Sequence, residues 1–215
     1  MKTVKLMAAL FMVALCVGIV SCSKDEPGDG VFNSGKRVTK ILYDEGNSQE
    51  FTYSNDRLVR IVWRYADVSR SLETDLAVTY SDNQVIMKGK YDGHDNTVFT
   101  YTLGSNGFAA SCNIKERGSE TYETYEYSAD GYLTKITEDN GTRISTSILT
   151  YAKGNLISWS TNNWRANFTY TNIENKGNLT FWLGDDYYLG FYAGVLGKFN
   201  KNLMSVRPLT NLTRI

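Results

Sequence analysis

The 215-residue chain combines abundant aromatic residues with a neutral charge balance, and both features narrow the class of protein. It contains 15 Tyr, 9 Phe and 4 Trp but only 2 Pro, and its 23 basic side chains match its 23 acidic ones. A chain of this length forms one domain, or one domain with an appendage, and its core needs no disulfide or metal. The lack of a basic excess excludes nucleic acid as a partner.

The first 21 residues are predicted to be a lipoprotein signal peptide. Two lysines precede the apolar run of residues 6–20, which is shorter than the roughly 20 residues that a membrane-spanning helix needs. Residues 19–22, Ile-Val-Ser-Cys, resemble the lipobox of bacterial lipoproteins, and the resemblance implies cleavage after Ser21 and acylation of Cys22. The alternative is an ordinary secretory cleavage that leaves Cys22 as an incidental thiol.

The segment of residues 22–35 is polar and Gly-rich, and it is predicted to be a flexible tether. Lys24, Asp25 and Glu26 resemble the signal, a lysine followed by two acidic residues, that exports Bacteroidetes lipoproteins to the cell surface. The alternative is that these charges only keep the tether in solvent. With a lipid on Cys22, the first interpretation predicts a lipid-anchored outer-membrane protein that is exposed at the cell surface.

A short pattern recurs six times after the tether: an apolar residue, then Thr or Glu, then Tyr. The copies begin at Phe51, Val78, Phe99, Tyr125, Leu149 and Phe168. Because alternate residues of a strand share a face, the pattern predicts half-buried strands with the apolar residue and the Tyr on the covered side. Stretches rich in Asn, Asp, Gly and Ser follow the copies and predict hairpin turns, of which Asp130-Gly131 is the clearest.

The strand after each turn carries two apolar residues three positions apart, as in Leu58 and Ile61. Val85 and Phe108 keep the first of these positions but are followed three residues later by Lys and Ser. Residues i and i+3 of a regular strand point to opposite faces. The spacing therefore predicts a β-bulge at the exit of the turn, which would return both apolar residues to one face.

These hairpins predict an all-β domain over residues 36–215. Six hairpin units and two flanking half-units, at residues 38–41 and 203–206, correspond to about 12–14 strands in an antiparallel meander, a number at which open sheets curl, close or split. We therefore expect a soluble barrel-like or strongly curved sheet. We expect no helix in the domain except a single helical turn within residues 194–203. The Thr and Glu residues opposite the Tyr face exclude the unbroken apolar band of a membrane barrel.

The lipobox-like sequence, the acidic tether and the serial Tyr-x-x-x-Gly-x-Leu-x-x-Ile hairpins together resemble Bacteroidetes lipoproteins of domain-of-unknown-function family 4595. The resemblance extends from about residue 36 to the C-terminus and implies the porin-like fold that is described for that family. The hairpins are more loosely similar to the tyrosine–aspartate repeats of large secreted toxins, although the copies here are fewer and less regular. The family resemblance implies a fold and a location but no activity.

The sequence offers little for catalysis or metal binding. His94 is the single histidine, it lies in a predicted turn, and no Gly-x-Ser-x-Gly nucleophile elbow is present. Cys112 sits in strand-like sequence and is expected to be a buried, unreactive thiol. The remaining enzymatic option is a carboxylate pair assembled from different hairpins, because near neighbours such as Glu123 and Glu126 diverge in a strand. We predict a non-catalytic protein without a cofactor or metal.

The C-terminal third contains a dense group of aromatic residues. Seven rings lie within 34 residues: Trp159, Trp164, Trp182, Tyr187, Tyr188, Phe191 and Tyr192. Trp159 and Trp182 occupy the repeat position that Ile61 fills in the first hairpin, and they are predicted to be core residues.

A carbohydrate-binding platform is the functional interpretation of the remaining residues. Trp164, Tyr187 and Tyr188 provide rings for the apolar faces of sugars, and Asp185 and Asp186 provide carboxylates for their hydroxyls. The alternative is that the rings only pack the core, since aromatic clusters serve packing more often than binding.

The sequence thus predicts a surface-anchored binding or accessory module whose ligand is a glycan or another envelope polymer. The alternative is a structural protein that docks to an outer-membrane partner through a sheet edge or through its loops. In both cases the chain contacts the membrane through its lipid anchor.

Replacement of Cys22 by Ala tests the anchor. Without the sulfur that accepts the lipid, we expect the protein to move from the membrane fraction to the soluble fraction. The acyl chains hold the protein on the membrane, since each buried CH₂ contributes about 0.8 kcal/mol. Immunoblotting of separated fractions measures the change, with Ser23→Ala as the neighbouring control. An unchanged membrane fraction would contradict lipid anchoring.

Overall fold

The computed structural model of the chain describes residues 37–43, 46–65, 73–180 and 184–205. The predicted signal peptide and tether lie outside the described residues, and so do Cys22, Lys24, Asp25 and Glu26. Their roles as lipid acceptor and export signal therefore stay predictions.

The described residues contain fourteen β-strands and one α-helix. The first twelve strands are β1 (Lys40–Leu42), β2 (Ser48–Ser54), β3 (Arg57–Arg64), β4 (Thr74–Tyr80), β5 (Gln84–Tyr91), β6 (His94–Leu103), β7 (Ala109–Glu116), β8 (Ser119–Tyr127), β9 (Leu133–Asp139), β10 (Ile144–Ala152), β11 (Asn155–Ser160) and β12 (Arg165–Asn167). They are followed by β13 (Tyr170–Glu174), helix α1 (Gly184–Tyr192) and β14 (Asn202–Met204).

The first twelve strands form one antiparallel sheet in chain order, and β13 pairs with β14 in a separate two-stranded sheet. The predicted all-β antiparallel meander is therefore confirmed. The predicted barrel-like or strongly curved sheet is wrong, because β1 and β12 are the two outer strands of an open sheet that lacks the strong curl needed for closure. Both outer strands have three residues, which limits the backbone they offer to other strands.

The recurrent pattern has the two-faced geometry that the sequence predicts. Phe51 and Leu149 are each 3 % exposed, whereas the residues that follow them, Thr52 and Thr150, are exposed. The next residue again turns to the covered side, where Tyr53 is half-buried. We call the face that carries the buried apolar residues the inner face.

A β-bulge explains the spacing of three in the second strand of the hairpins. Thr52 lies opposite Arg60, but its neighbour Tyr53 lies opposite Leu58, so that one residue of β3 has no partner in β2. Leu58 and Ile61 therefore both reach the inner face and are 1 % and 0 % exposed. The same shift occurs between β8 and β9 and between β10 and β11, so the predicted bulge at the turn exit is confirmed.

Two hairpins reach the same result with different spacing. The pairing of β4 with β5 contains no bulge, and the buried residues of β5 are accordingly Val85 and Met87, two positions apart. The bulge between β6 and β7 lies one residue later than the sequence pattern indicates. Ala109 and Cys112 therefore fill the two inner positions, while Phe108 precedes the strand and is also buried.

The third copy of the pattern is displaced by two residues from its predicted position. Tyr101 pairs with Cys112 as Phe51 pairs with Ile61, so Tyr101 is the counterpart of Phe51, and the predicted start at Phe99 is wrong. The error leaves the predicted face unchanged, since a shift of two residues preserves the side of a strand. Phe99 is accordingly also buried on the inner face, with 0 % exposure.

The prediction that the domain lacks a helix longer than a turn is wrong. Helix α1 spans nine residues, Gly184–Tyr192, within the dense aromatic group of the C-terminal third. Leu189, Phe191 and Tyr192 of this helix are buried. The segment is helical although aromatic residues and Gly have modest helix propensity, because tertiary packing overrides that propensity. No helix in the described part of the chain has the length and apolar character that crossing a membrane requires.

Residues 193–201, which we call the C-terminal segment, run from α1 across three hairpin turns at one end of the strands. The carbonyl of Val195 accepts a hydrogen bond from the N–H of Ala109 at 2.8 Å. The N–H groups of Lys198 and Lys201 donate to the carbonyls of Gly131 and Gly154, at 3.0 Å and 2.9 Å. The segment thereby links the hairpins β6–β7, β8–β9 and β10–β11 before it reaches β14.

Helix α1 and the C-terminal segment cover the inner face and complete the core. Leu189 and Leu196 are fully buried, and the ring of Tyr192 lies 4.3 Å from that of Phe51 in β2. The open sheet therefore needs no closure to hide its apolar face, because the end of the same chain removes that face from water.

Replacement of Leu189 by Ala tests this covering role. Ala keeps the helix, so the change removes only the packing of α1 on the inner face, and we expect the free energy of unfolding to fall by about 2–5 kcal/mol. Urea denaturation measures it. Ile173→Ala, at a side chain that is 62 % exposed, is the control and should change the free energy by less than about 0.5 kcal/mol. Equal effects of the two changes would contradict the role of α1.

Candidate functional site

Strand β11, the turn after it and α1 bring three aromatic rings together on the inner face. The ring centroid of Trp159 lies 5.4 Å from that of Trp164 and 5.6 Å from that of Tyr187. The N–H of Thr161 donates to the carbonyl of Trp164 at 2.9 Å and closes the turn that returns Trp164 beside β11. We call Trp159, Trp164 and Tyr187 the aromatic cluster.

The members of the aromatic cluster differ in their access to solvent. Trp159 is 3 % exposed, which confirms its predicted place in the core, whereas Trp164 and Tyr187 are half-buried. The indole N–H of Trp159 is buried and has no acceptor among the described residues. A buried donor without a partner costs free energy, so this N–H lowers the stability of the folded chain.

Tyr187 connects the aromatic cluster to a buried carboxyl group. Its hydroxyl donates to Oε1 of Glu123 at 3.1 Å, and the hydroxyl of Tyr125 donates to Oε2 of the same side chain. Glu123 is 5 % exposed and lies on β8 two residues before Tyr125, so both face the inner side. The two-residue period of the strand indicates this face for Glu123, but it does not indicate that Glu123 lies close to Tyr187.

A second carboxyl group lies beside the first. Glu138 of β9 is directly opposite Glu123 of β8 in the strand register, and it is half-buried. Cross-strand neighbours of this kind have Cβ atoms about 4.5–5.5 Å apart. The two carboxyl groups that share a face thus come from adjacent strands, whereas Glu126 points outward and forms an ion pair with Lys135 at 2.8 Å.

The environment of Glu123 favours its protonated form. Burial raises the pKa of the Glu123 carboxyl, and the nearby Glu138 raises it further. The hydrogen bonds from Tyr125 and Tyr187 act in the opposite direction but do not overcome burial. The site therefore contains a carboxyl group that holds its proton more firmly than an exposed glutamate does.

The structure brings together two of the five residues that the sequence assigns to the ligand platform. Trp164 and Tyr187 meet in the aromatic cluster, as described. Asp185, Asp186 and Tyr188 belong to α1, but their side chains lie outside the described part of the structure. The ligand-binding role of all five residues stays a prediction.

The other sequence candidates are not part of the cluster, although Cys112 of β7 is directly opposite Glu123 of β8 in the strand register. His94 begins β6 and contacts Arg117, and Cys112 is fully buried, as expected for a structural thiol. Burial raises the pKa of the Cys112 thiol, which keeps it protonated and unreactive. A cavity of about 290 Å³ also lies elsewhere, between the β2–β3 turn and the C-terminal segment.

The described residues define a class of protein: an open antiparallel β-meander whose inner face is covered by the chain's own C-terminal helix. The chain belongs to the family described as a domain of unknown function (DUF4595) with porin-like fold, whose model matches residues 51–214. A porin-like protein from Bacteroides uniformis ATCC 8492 has a similar crystal structure, with a TM-score of 0.57 and 18 % identity over 77 % of this chain and 75 % of that one. This similarity concerns the fold alone. No curated protein matches the chain.

The raised pKa of Glu123 predicts a pH-dependent stability. In the unfolded chain the carboxyl ionises at a pKa of about 4.3, while the folded chain keeps its proton to higher pH. The folded state therefore loses stability as the pH rises from about 4 through the folded pKa. Relative to Glu123→Gln, we expect the free energy of unfolding of the wild type to fall over this window in urea denaturation.

Tyr187→Phe provides the matched comparison. It removes a hydrogen bond that lowers the pKa of Glu123, so the fall in stability should extend to higher pH than in the wild type. A constant difference between the wild type and Glu123→Gln from about pH 4 to pH 8 would contradict the raised pKa.

Proposed function

We propose that this protein is a lipid-anchored module of the outer-membrane surface that binds carbohydrate at the aromatic cluster. Cys22 would carry the lipid, and Lys24, Asp25 and Glu26 would direct export to the surface. The ligand would be a glycan or another envelope polymer. The observation that carries the proposal is the packing of two half-buried rings, Trp164 and Tyr187, on Trp159, with the hydroxyl of Tyr187 bound to the buried carboxyl group of Glu123.

The two half-buried rings supply the apolar part of sugar recognition. Trp164 and Tyr187 both pack on Trp159, and each retains part of its surface for a ligand. The faces of sugars carry C–H groups that pack on aromatic rings, while Tyr and Trp also offer a polar group at the ring edge.

The polar groups beside the rings match the hydroxyls of a sugar. Glu138, which is directly opposite Glu123 in the strand register, is half-buried and can accept hydrogen bonds. The hydroxyl of Tyr187 is held by Glu123, so its ring is fixed before a ligand arrives. A fixed ring loses less conformational entropy on binding than a mobile one.

The alternative function, docking to an outer-membrane partner through a sheet edge, receives less support. Strand addition to a sheet needs a run of unpaired backbone groups. The outer strands β1 and β12 have three residues each, which offer few such groups. We therefore give precedence to carbohydrate.

A binding screen of the mature chain against neutral and acidic polysaccharides tests the proposal. We expect at least one polysaccharide to bind, and Trp164→Ala to weaken its affinity by about tenfold or more, as for a ring that contributes about 1.4 kcal/mol or more. Tyr122→Ala is the matched control, because Tyr122 is 48 % exposed and lies outside the aromatic cluster. It should bind as the wild type does.

Trp164 also packs on the core, so thermal unfolding of each variant and the conservative Trp164→Phe separate lost binding from lost folding. Failure of every polysaccharide to bind, or equal weakening by Tyr122→Ala, would contradict the proposal. Release of reducing ends that depends on Glu138 would instead assign hydrolysis to the paired carboxyl groups.

A further inference from the structure

The cavity of about 290 Å³ is lined by residues from five separate parts of the chain. These are residues 37–38, the β2–β3 hairpin, Tyr132, the four residues 174, 175, 177 and 178, and the end of α1 with the C-terminal segment. Its volume is close to the lower end of the range of about 300–1,000 Å³ in which small-molecule ligands bind. The cavity shares no lining residue with the aromatic cluster, so it would be a separate site.

Part of the cavity lining is aromatic, and we call this part the aromatic wall. Tyr53, Tyr132, Phe191, Tyr192 and Phe199 contribute to its lining. The ring centroids of Tyr192 and Phe191 lie 6.0 Å and 5.9 Å from that of Phe199, so these three rings pack against one another. These rings provide an apolar surface for the body of a small ligand.

The charges at the cavity leave two lysines without an acidic partner. Arg37 forms an ion pair with Asp56 at 3.5 Å, and Glu174 lies 3.9 Å from Lys176, so both acids that line the cavity have cationic neighbours. Lys198 and Lys201 also line the cavity, and neither forms an ion pair with a described residue.

Backbone hydrogen bonds tie these two lysines to turns close to Tyr132. The N–H of Lys198 donates to the carbonyl of Gly131, the residue before Tyr132 in the β8–β9 turn, and the N–H of Lys201 donates to the carbonyl of Gly154 in the β10–β11 turn. Nζ of Lys198 lies 5.9 Å from the ring centroid of Tyr132. Gly154 has a φ of +80°, and a Cβ there would lie 3.1 Å from the Tyr132 hydroxyl and 3.2 Å from the Lys201 side chain, which places these two groups together.

We propose that this cavity binds an organic anion about the size of a monosaccharide. Its carboxylate or phosphate contacts Lys198, Lys201 and the hydroxyl of Tyr132, while its body packs on the aromatic wall. Two ammonium groups and a phenol are hydrogen-bond donors, and bonds from charged donors to an anion are stronger than neutral ones. The aromatic wall explains why an organic anion, rather than a bare inorganic ion, suits the site.

Calorimetric titration of the mature chain at low ionic strength tests the proposal with three probes: glucuronate, glucose 6-phosphate and glucose. We expect at least one of the two anions to bind with one site per chain, and glucose to bind at least about tenfold more weakly. The two anions distinguish a carboxylate from a phosphate ligand. Binding should also weaken as salt is added, because the lysines are exposed.

Variants of the two lysines locate the site. The double change Lys198→Gln with Lys201→Gln should lower the affinity for the anion by about tenfold or more, and the double change to Arg should retain it. Lys176→Gln is the control, because its side chain is 80 % exposed and does not line the cavity. Trp164→Ala should leave anion binding unchanged, which separates this site from the carbohydrate site. Failure of both anions to bind, equal affinity for glucose, or equal weakening by Lys176→Gln would overturn the proposal.

Discussion

Burial of one face of a long open sheet is the constraint on which the rest of this structure depends. Twelve strands paired in series carry buried apolar residues on one side and exposed Thr, Glu and Lys on the other. Apolar area contributes stability of about 25 cal/mol per Å² only when it leaves water. A closed barrel would achieve this by folding the sheet on itself. This chain achieves it with α1 and the C-terminal segment, so the sheet keeps two short outer strands.

Both candidate sites are consequences of that solution. The N-terminal half of α1 brings Tyr187 against Trp159 and Glu123, and so creates a half-buried patch where rings and carboxyl groups meet. The C-terminal segment is hydrogen-bonded to hairpin turns at one end of the strands. It lines the cavity together with its own Lys198 and Lys201. Neither site lies within a single hairpin. Each depends on a segment that is distant in sequence and whose main structural task is to cover the core.

The alternation of polar and apolar residues allowed much of the sheet to be predicted. The two-residue period of a strand predicts that Phe51 points inward and Thr52 outward. A β-bulge explains how Leu58 and Ile61 reach the same face. The same period was sufficient to place Glu123 inward. It was not sufficient to align the third copy of the repeat, because Phe99 and Tyr101 are both aromatic, both inward and two residues apart.

The sequence by itself therefore determined the hairpins, their faces and the family of the chain, because these depend on contacts between near neighbours in a periodic strand. Only the tertiary structure decided that the sheet stays open, that residues 184–192 form a helix, and that Glu123 and Glu138 lie beside the aromatic cluster. The reason is physical. An aromatic segment with Gly residues has no strong local preference, so its conformation is set by the apolar surface that it must cover.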